Sequence, residues 1–517
     1  RFNGKRLSPN ARYWWKVRAE YSSSSSIDGR KAKKAWTEWS LPSSWSMGLM
    51  DEFRWKGYWI GMEHANPWDR EDEHSRLSAR YFRRTFPLAS EVKRATLHIC
   101  GLGLYEAYID GSLISKGTKN DLSRIGDIVM TPAPTDYRKS IIYNTFDITP
   151  LLQNDRSKHC IAVTVSNGRF YTMQQNKKKH KITNFGYPCL RANIIIEYSD
   201  GKTETIATDD KLWRLNADGA IRSANEYDGE IYDARKQFGG SAKAWTSPDF
   251  DDSSWQLAQR SAIPSGSLIG NLTPPMRILD TLRVKHSSTI GNAIVMDFGQ
   301  NYAGWTRINT AACRLSKGDT LRIRYAERLN ADGSLYTANL RHAQSTDFYI
   351  ADGKTDSWWA PRFTTHGGRY IEVSVIGKSC PQLSADDVIG EVVSDDMTRK
   401  GQFSCGNMTL NRLMQNAYWG ILSNYKGMPI DCPQRDERQP WLGDRTMGCW
   451  GESFLLDNGA LYLKWIKDIT EAQRSDGCIP DVAPAYWNYY SDNVTWPAVI
   501  ITAAEMLYRQ YGDTRAI

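Results

Sequence analysis

No CxxC pair, HExxH, GxGxxG or P-loop pattern occurs anywhere in the 517 residues. Zinc-ribbon, metalloprotease and nucleotide-binding chemistry therefore have no motif to rest on, and catalysis is expected to need no cofactor. The nine cysteines are widely scattered and odd in number, which argues against a dense disulfide framework and reads as mostly buried thiols. No run approaches the roughly 18 apolar residues of a membrane span. Charge of one sign is also scarce, with 66 Lys and Arg against 58 Asp and Glu, net +8, and only short basic runs at 30–34 and 177–181. A nucleic-acid partner would demand a concentrated basic face, so none is expected. The chain opens RFNGKRLSPNARYWWKV, with no initiator Met and no signal peptide, and closes on AAEMLYRQYGDTRAI. It reads as an internal piece of a longer protein. Neither localisation nor oligomeric state is written in it.

What is abundant is aromatic: 20 Trp and 26 Tyr. Most should fill β-sandwich cores, and some should line pockets that stack on sugars or bases. A chain this long is expected to hold about three or four domains. Residues 1–50 alternate as strands do around Tyr13-Trp14-Trp15 and Trp36-Thr37-Glu38-Trp39, with a polar tract at 22–26 that reads as a solvated loop. They are similar to the last strands of a fibronectin type III-like sandwich. From 51 to 265, short strands at 79–86, 94–99, 104–109 and 161–165 alternate with turns and predict a β-sandwich. A second β-sandwich is expected over 266–400. Near Gly401 the period changes to three and four, and helices are predicted at 410–425, 455–472 and 496–511, the first capped by Asn407 or Thr409.

Between the first two of these helices lies DCPQRDERQPWLGD, residues 431–444, which has neither a helical nor a strand period. Solvated charge or surface ion pairing would explain it blandly. Against that, Asp431, Glu437 and Asp444 are set among Cys432, Pro433, Pro440, Trp441 and Gly443, a mixture suited to a rigid, partly buried loop. Buried carboxylates need partners, and Arg435, Arg438 and Arg445 are close in sequence. A carboxyl kept protonated by a poorly hydrated wall such as Trp441 is a usable general acid.

This stretch resembles the signature of bacterial α-L-rhamnosidases, the family 78 glycoside hydrolases. WKGYWIG (55–61), TDYRKSIIYNTFDIT (135–149), DFGQNYAGWTRI (297–308), YAERLNADGSLY (325–336), THGGRYIEV (365–373) and DGCIPDVAP (476–484) are similar to further blocks of that family in the same order. The resemblance implies several β-sandwich modules followed by an (α/α)6 barrel, of which 401–517 would be the first part. It implies hydrolysis of terminal non-reducing α-L-rhamnose with inversion, Glu437 being the general acid. Asp431 and Asp444 would then bind rhamnose hydroxyls, Trp441 and Trp496 would wall the pocket, and Arg435 and Asp436 would orient its groups. Where many relatives have Leu-Gly before the tryptophan, this chain has Gln439-Pro440, which should stiffen the loop. Pro497-Ala498 replaces a Gly-Asp, removing a pocket carboxylate.

The general base of the family is a downstream glutamate, expected beyond Ile517. Glu452, Asp457, Asp476, Asp481 and Asp492 carry no motif-level claim to that role, although Asp481 and Asp492 are placed to enter a cleft. The resemblance also implies a rhamnose-containing glycoside as partner, a periplasmic or secreted location, and room for calcium in a β-sandwich module. A non-catalytic carbohydrate-binding protein remains the alternative reading.

Overall fold

The computed structural model describes residues 4, 6–22, 34–69, 77–117, 123–154, 156–171, 185–240, 245–262, 264–354, 358–491 and 493–517. Asp492, the run at 177–181 and most of the serine tract lie outside them. The chain forms two compact units, Arg1–Trp55 and Lys56–Ile517.

In the first unit, Arg12–Trp15 pairs antiparallel with Ser43–Ser46, and Glu20–Ser22 with Lys34–Trp36. The strands are shorter than the alternation predicts. The reason is local: Thr37 and Ser40 hydroxyls accept from the amides of Ala19 (2.9 Å) and Val17 (3.0 Å), taking the place of ladder carbonyls. On one side of this unit cations and rings alternate. The Arg12 guanidinium lies 4.7 Å from the Trp14 ring centre, and that of Arg18 lies between Trp36 (4.4 Å) and Trp39 (4.6 Å).

The second unit is mostly β. Two sheets face each other across one apolar core. The first has seven strands, with Val92–Leu102 between Cys189–Tyr198 and Ser140–Asp147; the second has six, with Arg80–Pro87, Lys158–Ser166 and Leu104–Ile109 at its centre. Leu97, Ile99 and Ile194 from one sheet meet Phe82, Ile161 and Val163 from the other, all essentially inaccessible. Each such side chain contributes about 1.5–3 kcal/mol relative to exposure. The strands at 104–109 and 161–165 appear where the spacing of turns predicts them, the latter extended to Lys158–Ser166.

A third sheet has ten strands, centred on His366–Val375 and Ala293–Asn309. Its far edge is the hairpin Ile221–Asn225 and Gly229–Asp233, while Ser267–Gly270 returns to the first sandwich. The two β regions thus exchange strands.

Four helices follow: α1 Met408–Ser423, α2 Gly443–Leu455, α3 Gly459–Ala472 and α4 Val499–Tyr511. Asn407 caps α1, its side chain accepting from the amides of Thr409 (2.9 Å) and Leu410 (3.3 Å). The helix expected at 455–472 is present as α3, starting four residues later, and α2, which begins inside the motif, was not expected. The break comes where residues 398–400 lie against Leu456 and take the backbone groups, with Lys400 N donating to Leu455 O and Asp457 N to Thr398 O. Leu422 of α1 enters the core of the third sheet, and Leu442, Cys449, Trp465, Val499 and Leu507 form a helical core of their own.

Candidate active site

The loop from the end of α1 to the start of α2 is closed on itself. Asp431 and Gln439 exchange a backbone bond, Asp431 N to Gln439 O at 3.0 Å, and Asp431 Oδ1 accepts from Gln439 N at 2.7 Å. Asp431 Oδ2 takes Arg435 Nη2 at 3.0 Å, and Arg435 Nε reaches Glu437 Oε2 at 3.1 Å. One guanidinium therefore bridges two carboxylates six residues apart in sequence, which fixes their separation. Burial pushes the Asp431 carboxyl above the usual carboxylate range, the Glu437 charge adding to the effect.

Glu437 is met by three donors. Arg341 Nη1 donates to Oε2 at 2.8 Å alongside Arg435, and the indole Nε1 of Trp441 donates to Oε1 at 3.0 Å. Trp441 turns its N–H toward the carboxylate, and its ring stands edge-on to Trp487 and Tyr489, both 5.9 Å away between centroids. Asp436 is buried, with His342 Nδ1 2.9 Å from Oδ2.

The main anchor of the loop is a side chain the sequence suggested for ion pairing. Arg438 is 1% exposed and sits at φ +49°. Its guanidinium donates to carbonyls, not carboxylates: Arg435 O (3.0 Å), Gln434 O (3.1 Å), Thr365 O (2.7 Å) and Glu226 O. Two of these lie in the β region. From there Arg169 Nη2 also donates to Arg438 O, at 2.5 Å, and Tyr227 OH accepts from Gln439 Nε2 at 3.2 Å. The departure at Gln439 thus has a use, as its amide ties the loop to the β region. Gly367 explains how close the two come. A Cβ there would stand 2.9 Å from Pro433 Cγ and 3.0 Å from the Gln434 side chain.

Asp444 lies in the first turn of α2. It is exposed, and among the described residues no hydrogen bond to its carboxylate occurs. Partial desolvation raises its carboxyl above the ordinary range, and it feels the charges of Arg445, Glu437 and Arg435. Trp496 lies flat against the start of the same helix, where a Cβ on Gly443 would come within 2.4 Å of the indole. The structure thus brings Asp431, Arg435, Glu437 and Trp441 into one bonded chain, with Asp436 beside it and Asp444 and Trp496 at the adjoining helix start. A cavity of about 390 Å³ abuts the loop, lined among others by Asp431, Gln434, Arg435, Trp419, Asn301 and Glu327.

The other acids are mostly committed elsewhere. Glu452 is buried, its Oε2 accepting from the hydroxyls of Tyr425 and Tyr462 and its Oε1 3.4 Å from Arg445 Nε. Asp457 pairs with Lys400 at 3.0 Å, and Asp476 accepts from Cys478 N. Asp481 is 1% exposed, with Oδ2 accepting from Ser491 at 2.6 Å and its backbone holding Leu442 N. Arg341, His342, Arg169, Glu226 and Tyr227 were missed by sequence reasoning, each a single residue with no motif around it, while Thr365 lies in THGGRYIEV but its contact with the loop was not foreseen. Among the described residues no group of three or more His, Cys, Asp or Glu side chains is arranged to hold a metal ion. Among them, too, no helix is long and apolar enough to cross a membrane.

Comparison with known proteins gives a consistent pattern. Residues 90–280 match the α-L-rhamnosidase N-terminal domain, 288–394 the bacterial α-L-rhamnosidase concanavalin-like domain, and 398–517 the bacterial α-L-rhamnosidase 6 hairpin glycosidase domain. An α-L-rhamnosidase of Streptomyces avermitilis is 35% identical over 459 residues, covering 88% of this chain and 42% of the relative. One from Formosa agariphila is 30% identical over 517 residues, covering 99% of this chain and 52% of the relative. Among solved structures, an α-L-rhamnosidase from Dictyoglumus thermophilum superposes with a TM-score of 0.85 at 34% identity, covering all of this chain and 54% of the other. The Streptomyces avermitilis enzyme complexed with L-rhamnose gives a TM-score of 0.76 at 25% identity, over 100% and 62% of the two chains. The chain spans about half the length of the curated relatives it matches.

Proposed function

This chain belongs to the bacterial α-L-rhamnosidase family, and on that footing we propose that it is the β-rich and early helical part of an enzyme that removes terminal α-L-rhamnose from glycosides. Glu437 is the general acid in this reading. The observation that carries it is the fixed carboxylate: Glu437 is held by Arg341, Arg435 and the Trp441 indole at 2.8–3.1 Å, on a loop that Arg438 locks to the β region. These donors fix where the carboxylate stands, and a general acid must be placed against the glycosidic oxygen in just this way. The carboxylate is the form left once its proton has passed to the leaving group.

The remaining roles follow from exposure and chemistry. Asp444, open to solvent, accepts from a rhamnose hydroxyl; Asp431 keeps Arg435 in place and offers a second acceptor. Trp496 and the aromatic group around Trp441 receive the apolar face and methyl of the 6-deoxy sugar. Inversion requires a second carboxylate roughly 6.5–9.5 Å from the acid so that water fits between, and this reading assigns only the acid. We further propose an (α/α)6 barrel for the helical region, module boundaries near 50, 265 and 400, and a site of action outside the cytoplasm, where rhamnosides are met. The decisive experiment is turnover of an aryl α-L-rhamnoside by the full-length enzyme carrying Glu437→Gln. Loss of about 10²–10⁴-fold with binding retained is expected; unchanged turnover removes Glu437 from the role.

A further inference from the structure

The small N-terminal unit has a charge and surface that the catalytic reading does not use. Residues 1–55 hold eleven Lys and Arg against five Asp and Glu, six of the eight net positive charges of the whole chain. Strand alternation puts Arg12, Trp14, Lys16 and Arg18 on one side of the first strand and its extension, with Tyr13, Trp15 and Val17 on the other. The first side is a ladder of cations and rings. Arg18 lies between Trp36 and Trp39, Lys16 Nζ is 5.5 Å from the Trp39 ring centre, and Arg12 covers Trp14. The rings stay open to solvent, Trp14 62%, Trp36 52% and Trp39 49% exposed.

Among the described residues, Lys16 and Arg18 have ring contacts but no carboxylate partner, the nearby Glu20 being paired with Lys34 at 3.3 Å. With two ring centres within 4.4 and 4.6 Å, the Arg18 guanidinium keeps its N–H groups in its own plane, where a planar carboxylate docks with two parallel bonds. Its orientation is already fixed by the stacking, so little side-chain entropy is lost on binding. The exposed indoles beside it supply surface for the C–H face of a pyranose.

We propose that this ladder binds an acidic polysaccharide, its uronate carboxylates paired with Arg18 and Lys16 and its sugar rings laid against Trp14, Trp36 and Trp39. Choosing a glycan over other polyanions rests on the rhamnosidase reading; the charge and the ladder do not. The test is affinity electrophoresis of the 517-residue chain in gels containing polygalacturonate or dextran, with titrations against duplex DNA and phosphatidylglycerol vesicles alongside. Polygalacturonate is expected to retard the chain, dextran not to, and Arg18→Gln and Trp39→Ala each to weaken the retardation about tenfold. Lys16→Gln, an exposed change that leaves the ring stack intact, should weaken it about threefold and keeps the test valid if Trp39→Ala unfolds the unit. Equal retardation of the Arg18→Gln and Lys16→Gln variants with unchanged circular dichroism overturns the proposal, as does equal retardation by dextran. Tighter binding to DNA or to vesicles than to polygalacturonate overturns it in favour of that partner. Rhamnose release by the full-length enzyme is measured separately, so loss of the catalytic reading and loss of this one are told apart.

Discussion

The indole Nε1 of Trp441 donates to Oε1 of Glu437 across 3.0 Å, four residues along the same loop. The tryptophan is therefore a polar partner of the carboxylate as well as an aromatic surface. Trp441→Phe separates the two roles, since it keeps a ring and deletes the donor. One charge-assisted hydrogen bond is worth about 1.5–3 kcal/mol, so kcat/KM of the full-length enzyme on an aryl α-L-rhamnoside should fall at least about tenfold. A rate within twofold of the parent would mean that the hydrogen bond does not hold the acid.

Arg438 is buried with its guanidinium on four carbonyls, two of them in the loop and two in the β region. Arg438→Met leaves those acceptors without donors at about 1–3 kcal/mol each where they stay buried. A loss of more than about 3 kcal/mol is expected in urea unfolding of the helical region, read from tryptophan fluorescence. Arg438→Lys should recover only part of it, because an ammonium cannot span the same four oxygens.

Gly367 is packed against Pro433 and Gln434. Gly367→Ala should push the loop outward by a few tenths of an ångström and move Glu437 with it. Turnover is expected to drop about tenfold while the midpoint of thermal unfolding changes little; an equal effect on both would point to a general packing defect.

Glu230 is fully buried, and burial lifts its carboxyl from 4.5 to about 8. Its native pKa is the higher one, so between about 4.5 and about 8 the unfolded chain has released a proton that the folded chain keeps. The stabilisation is complete below the lower value and is lost as pH rises through the upper one, by up to about 1.4 kcal/mol per pH unit. Glu230→Gln removes this contribution. Denaturation curves of the variant should show a flatter decline in stability across that window than those of the parent.

All nine cysteines are free; six are buried, and Cys380, Cys405 and Cys478 are partly accessible. Maleimide labelling of the native chain should therefore stop near three equivalents and reach nine in denaturant. Reducing agent should leave the thermal midpoint unchanged.

These outcomes divide between what sequence could and could not reveal. The span Leu104–Ile109 is legible as a strand because it is a short apolar and aromatic run between turns, and Asn407 is legible as a cap because capping is a local interaction. The Asp431, Arg435 and Glu437 chain is legible for the same reason, its members lying within seven residues. Helix α2 and the break that ends it at Leu456 were not, because partners at 398–400 set that end. Arg341 and His342 were invisible: each is one polar side chain in an unremarkable stretch, brought to Glu437 and Asp436 by a fold that joins positions almost a hundred residues apart. Arg438 was noticed but given the wrong partners, since nothing in a sequence separates a guanidinium that meets carboxylates from one that meets carbonyls.

The anchors of residues 431–439 in the β region, Arg169, Glu226, Tyr227, Arg341 and Thr365, all precede the loop in the chain. During synthesis the earlier parts of a chain emerge and fold first. The residues that receive 431–439 therefore leave the ribosome first, and the loop is expected to fold against a surface already formed. A helical region expressed without its β partner would lack that surface, so the two regions are expected to travel together as one inherited unit and to resist recombination at their junction.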